Sequence, residues 1–382
     1  KELALTVKSK FKGDYIENYC FKPLHFAAMS GNLKLYSFIN EKVEDKFPFM
    51  ERIAGNVRYD VEAKTPLDFA SEYGHLDIVR YIIQNVDIRS IDDRCVLRSL
   101  YSASKTGHTE VYRYLYDYFQ GQKFQENKIK EALEYALGTA TLNGHLGVVK
   151  YILRNFESKN LVRSDGQSLL HVAARKGHLD ICKFILSHNL SNCNPKSKNG
   201  ETPLHNAAEF GHFEVFKLIA NNCSSINPKK KDGSTPLHKA AKNGHLQICK
   251  YILPHLKEEN LTGKTGETLL HSVVRFPKNR CSKNRDRKIQ FEVYKCIAEI
   301  LEDKNPTDNL GLTPFQIAKN GKRQNLDICR YILEKLPWLW DEDLSEKKKK
   351  VPVENSNNAG GIVHGHWAVR CSDDNCTVLH LP

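Results

Sequence analysis

With 40% hydrophobic and 27% charged positions among 382 residues, the chain has the composition of an ordered protein rather than a disordered one. Its formal net charge of +12 favours acidic partners (acidic proteins, nucleic acid or an anionic membrane surface) without choosing among them. No apolar run reaches the roughly 18 residues that a transmembrane helix needs, so membrane insertion is not expected.

In chain order, residues 1–21 form a lead-in, and Lys1–Lys10 lack the apolar stretch and cleavage site of a signal peptide. There is no initiating Met, which leaves open that the chain is the regulatory part of a larger enzyme or channel. A phrase then begins at Lys22-Pro-Leu-His25, runs to Gly31, and recurs as Thr65-Pro-Leu-Asp68 with Gly74-His75. The spacing from His25 to Asp68 is 43 residues, with extra chain inserted near 40–63. Leu100 to His108 reads as a degenerate third copy and Leu137 to His145 as a fourth, with a polar loop insertion near 120–129 between them. Three clear copies follow, opening at Ser168, Thr202 and Thr235, and Thr268 opens an eighth. Their histidines His171, His205, His238 and His271 are separated by 34, 33 and 33 residues. The eighth is interrupted by a basic segment, 275–290, holding Arg275, Lys278, Arg280, Lys283, Arg285, Arg287 and Lys288; Thr313-Pro-Phe-Gln316 opens a ninth.

Each position in the phrase has a local reason. Thr235 suits a helix N-cap, where its hydroxyl accepts a backbone N–H. Pro236 at the first helical turn forfeits no hydrogen bond, because that N–H has no partner within the helix. Ala240 and Ala241 allow neighbouring helices to approach closely, and Gly244 fits a left-handed C-terminus. Asp165-Gly166, Asn199-Gly200 and Asp232-Gly233 read as turns of hairpins between copies. Period and phrase together resemble the ankyrin repeat, over roughly residues 20 to 336. The resemblance implies an all-α, ankyrin-repeat solenoid of about nine stacked helix-turn-helix repeats with hairpin fingers, ending near Leu344. Two short helices cannot bury their apolar faces alone, and stacking makes one continuous core. Trp338 and Trp340 are expected to cover the open face of the last repeat.

Most of the 16 histidines recur once per repeat, which points to structural ties between turns and not to a catalytic group. No phosphate-binding Gly-rich loop, nucleophile elbow or His-Glu-x-x-His helix occurs, so no enzyme activity and no cofactor are expected. The 11 cysteines are odd in number and irregularly spaced, which disfavours a disulfide framework and favours a reduced, intracellular, cytoplasmic setting. Cys182, Cys249 and Cys329 recur in the second helix as small apolar fillers. The tail, 345–382, reads as disordered. Its His364, His366, Cys371, Cys376 and His380 are zinc-ligand types, but at spacings that match no familiar module. Lys347–Lys350 has the form of a short nuclear-import signal, with a solvated charge run as the plainer reading.

What the resemblance implies for function is a non-catalytic scaffold or adaptor that binds another protein through its fingers and the exposed ends of the first helices. The residues so placed are Arg163, Arg175, Lys176, Lys198, Glu209, Phe210, Lys231, Lys242 and Lys264. They form a mainly basic strip with one aromatic anchor, suited to an acidic or phosphorylated segment. Nucleic-acid or other polyanion binding is the alternative, weakened by the lack of regular aromatic interleaving for base stacking.

Overall fold

The structure is a computed structural model describing residues 19–20, 22–44, 51–52, 64–85, 93–120, 126–155, 165–188, 193–256, 262–263, 266–275, 284–301, 303–320, 325–337, 339, 367–368 and 378–379. The chain divides into two compact units, Lys1–Ile332 and Leu333–Pro382.

Helices come in pairs. The first four pairs are α1 (Pro23–Ser30) with α2 (Leu33–Lys42), α3 (Pro66–Glu72) with α4 (Leu76–Asn85), α5 (Asp93–Thr106) with α6 (Thr109–Gln120), and α7 (Glu126–Asn143) with α8 (Leu146–Asn155). The next three are α9 (Leu169–Lys176) with α10 (Leu179–Ser187), α11 (Pro203–Phe210) with α12 (Phe213–Asn221), and α13 (Pro236–Asn243) with α14 (Leu246–Ile252). The last two are α15 (Leu269–Val274) with α16 (Asn284–Ala298), and α17 (Pro314–Asn320) with α18 (Leu326–Lys335). Nine pairs among the described residues give the all-α repeat solenoid expected from the period.

The capping phrase works as its chemistry suggests. Thr235 Oγ1 accepts from the His238 N–H at 3.4 Å, and His238 Nδ1 accepts from the Thr235 N–H at 3.3 Å, a reciprocal cap on α13. Asp68 replaces the histidine in the second repeat and makes the same exchange with Thr65. First helices pack in one row from α1 to α17, and second helices in another from α2 to α16. The first row meets through fully buried Ala27, Ala103, Ala140, Ala173, Ala207 and Ala240. The core between the rows is filled by Leu24, Leu67, Leu204, Leu237 and Leu269 from the first helices, and by Ile78, Val148, Ile181, Ile219 and Ile248 from the second. Each such side chain contributes about 1.5–3 kcal/mol on burial. Edge-on aromatic pairs link successive second helices: Tyr36–Tyr81, Tyr112–Tyr151, Phe216–Tyr251 and Tyr294–Tyr331.

The irregular copies depart from expectation. The third repeat starts at Asp93, not near Leu100, and the polar segment expected to be a loop across 120–129 is helical from Glu126. The Glu, Lys, Ala and Leu of the helix Glu126–Asn143 are strong helix formers, so α7 lengthens where a hairpin would otherwise form. Likewise, the basic segment 275–290 is helix from Asn284 onward. The lead-in and the first insertion pair with each other, Tyr19 opposite Arg52 and Cys20 opposite Glu51. In the tail, expected to be disordered, Trp367 pairs with Leu379 and Ala368 with Val378. Trp338, Trp340, Lys347–Lys350 and the five His and Cys residues of the tail lie outside the described residues.

Candidate interaction surface

Two sets of histidines set the register of this surface. In the capping phrase, Nδ1 faces the N-cap of its own helix and Nε2 donates to the finger of the next repeat. His171 reaches the Glu201 carbonyl at 2.9 Å, His205 that of Ser234 at 3.2 Å, and His271 that of Leu312 at 2.9 Å. The second set follows the helix-ending glycine and points the other way. His75, His145, His178, His212 and His245 donate from Nε2 to the carbonyls of Met29, Lys105, Leu142, Arg175 and Glu209 at 2.8–3.1 Å. These rings are joints between repeats, and the hydrogen bonds hold their tautomer. Burial lowers the His205 pKa to about 4, the opposite of what a general base near neutrality requires.

The fingers are tied to one another through backbone. The Lys198 N–H donates to the Asp165 carbonyl at 3.1 Å and the Lys231 N–H to the Asn199 carbonyl at 3.1 Å. Within a finger, Asn227 Oδ1 accepts from the Leu237 N–H at 3.0 Å, and Asn305 does the same for Phe315 at 3.1 Å. A finger tip therefore presents its side chains from a fixed backbone.

The nine residues of the expected strip divide into four groups. Arg163 and Lys264 lie outside the described residues. Arg175 and Glu209 are half-buried and used internally: Arg175 donates to Gln167 Oε1 at 3.1 Å, and Glu209 pairs with Lys239 at 3.1 Å. Lys176, Lys198, Lys231 and Lys242 are exposed and have no ion pair among the described residues. Phe210 keeps 43% of its surface, its ring stacked on His212 at 6.5 Å. Tyr73 and His75 repeat that stack in the second repeat at 6.3 Å.

Sequence reasoning missed two features. One is Leu142, 42% exposed, which stands two residues before Gly144 as Arg175 stands before Gly177. That register alone would have found it. The other is internal neutralisation of three cations by acids of the fold. Lys239 lies between Glu209 and Glu201, Arg275 pairs with Asp308 at 2.9 Å and approaches Glu267 at 3.8 Å, and Arg98 pairs with fully buried Asp68 at 2.7 Å. The partners sit in neighbouring repeats or fingers, a separation that residue-by-residue reading does not connect. Desolvation pushes the Asp68 pKa up against the opposing pull of Arg98 and Thr65.

Among the described residues no helix is long and apolar enough to cross a membrane, and no cluster of three or more metal-ligand side chains occurs. No curated protein matches the chain. Two family descriptions do: "Ankyrin repeats (3 copies)" over 137–232 and 221–283, and "Ankyrin repeats (many copies)" over 67–116. Together they cover just over half of the chain, and with the paired helices, linked fingers and histidine joints they place it in the ankyrin-repeat family.

Proposed function

We propose that this chain is a non-catalytic scaffold that holds an acidic or phosphorylated protein segment along repeats five to eight. Ankyrin repeats are generally protein-interaction modules and typically lack catalytic activity, which supports the general part of this reading. The observation that carries the specific part is the separation of charges on the strip. Arg98, Lys239 and Arg275 are paired with acids within the fold, whereas Lys176, Lys198, Lys231 and Lys242 are exposed without an ion pair among the described residues, with Phe210 and Leu142 as exposed apolar side chains at helix ends. An exposed aromatic bordered by cations is a typical hot-spot composition, and an acidic chain would exchange hydration for several contacts at once. Arg163 and Lys264 extend the same strip on sequence grounds. A cytoplasmic location belongs to the same proposal, with nuclear entry through Lys347–Lys350 as the alternative.

The test is fluorescence anisotropy with acidic and phosphorylated peptides carrying one apolar residue, and with single-stranded DNA of matched charge as comparator. The variant Lys176→Glu, Lys198→Glu, Lys231→Glu, Lys242→Glu should bind the peptides about 10- to 100-fold more weakly, each exposed contact contributing roughly 0.2–1 kcal/mol. Equal affinity of variant and wild type would remove the strip from the binding site. Tighter binding of DNA than of any peptide, with a steep salt dependence, would favour the polyanion reading.

A further inference from the structure

Cys193 and Cys223 stand apart from the other cysteines. Cys182 and Cys249 recur in phase with the repeat and are fully buried, where burial pushes the Cys182 thiol up to about 12. Cys193 and Cys223 are 30 residues apart and out of phase. Cys193 directly precedes Asn194 at the base of one finger. Cys223 follows the end of α12, four residues before Asn227 at the base of the next. This stagger brings two half-buried thiols of adjacent repeats together, with Cys223 donating its S–H to Cys193 Sγ at 2.9 Å. An S–S bond is about 2.05 Å long, so a small side-chain rotation closes the gap. Neither residue is part of the fully buried core, both being half-buried.

We propose that Cys193 and Cys223 form a reversible dithiol–disulfide site, oxidised by a peroxide, that staples the fifth repeat to the sixth. The Cys193 thiol gives up its proton and its sulfur attacks one peroxide oxygen; the O–O bond breaks, and the hydroxide that leaves takes up that proton as the first water. The resulting Cys193 sulfenic acid is displaced by the Cys223 sulfur, which loses its proton as the S–S bond forms and the second water departs. Two thiols are oxidised by two electrons and one peroxide is reduced to two waters. Burial and the bond to Cys193 push the Cys223 thiol well above the usual range, which keeps it as the resolving partner until the sulfenic acid appears. The disulfide encloses α11, α12 and the finger bearing Lys198, so oxidation locks the segment that carries Phe210. The chemistry itself is independent of what the strip binds.

The experiment oxidises the fully reduced chain with hydrogen peroxide and maps its cysteines by mass spectrometry without reduction. A Cys193–Cys223 cross-link, dominant over all others and removed by dithiothreitol, is expected, while Cys95, Cys182 and Cys249 stay unmodified. In Cys223→Ser, dimedone should trap a sulfenic acid on Cys193, and circular dichroism confirms that the variant folds. Free alkylation of both cysteines after peroxide, or cross-links spread over other pairs, would overturn the proposal. The wild-type map decides the matter even should the variant not fold.

Discussion

Gly177 is where two constraints meet, and they can be measured separately. It ends α9 at φ +77°, and a Cβ built there would lie 2.5 Å from His212 Nδ1 and 2.7 Å from Cε1. Gly177→Ala therefore meets a backbone cost and a steric one. Left-handed backbone costs an L-residue about 1–2 kcal/mol, offset by about 0.4–1 kcal/mol because alanine restricts the unfolded chain. Displacing the His212 ring breaks its 3.0 Å bond to the Arg175 carbonyl, a further loss of about 0.5–1.5 kcal/mol. The expected total is about 0.5–3 kcal/mol, read from the urea midpoint by circular dichroism. Gly311→Ala is the control, because Gly311 has φ +72° but nothing within 4 Å of its Cβ position; only the backbone cost applies, about 1 kcal/mol or less. In a His212→Ala background, Gly177→Ala should shrink to the Gly311→Ala value. An unchanged cost in that background would show that the ring is not the obstacle, and the steric reasoning would fail.

Acid should destabilise the array through its capping-phrase histidines. Unfolded histidine takes up a proton near pH 6.5, whereas His205 does so near 4, because burial penalises the charged ring and Lys230 and Lys239 add to that penalty. Stability should fall between those pH values by about 3 kcal/mol for this residue; His171 adds in the same direction, and a flat urea midpoint from pH 7 to 4 would contradict this. Arg98→Ala leaves the Asp68 carboxylate buried without its cation, and should cost about 3–5 kcal/mol at neutral pH. That cost should diminish in acid as the carboxyl takes a proton, which paired urea curves at two pH values would reveal. Phe210→Ala should leave stability within about 0.5 kcal/mol yet weaken peptide binding measurably in the anisotropy assay.

What could be read in the sequence follows from the range over which each interaction acts. Thr235, Pro236, His238 and Gly244 act within one or two helical turns, so their spacing alone specified a capped helix and its end. Repetition then supplied the stacking, because only neighbouring copies can cover the apolar faces of Leu237 and Ile248. Where the local phrase is missing, at Asp93 and Glu126, nothing marks the boundary and helix propensity extends the element. The candidate strip was legible as positions but not as electrostatics: whether Arg175 or Lys242 is available depends on partners such as Gln167, which the fold brings close. The closeness of Cys193 to Cys223 is of the same kind, produced by stagger between repeats and invisible as a motif.

The histidine joints have a consequence for how such a chain can change. Every acceptor of those Nε2–H groups is a main-chain carbonyl, whether the residue bearing it is Met29, Lys105, Leu142, Arg175 or Glu209. Main-chain oxygen is supplied equally by any amino acid. The positions proposed to face a partner thus include positions whose backbone holds neighbouring repeats together, yet their side chains take no part in these bonds. Side chains can be exchanged there residue by residue while the histidine links between repeats stay as they are.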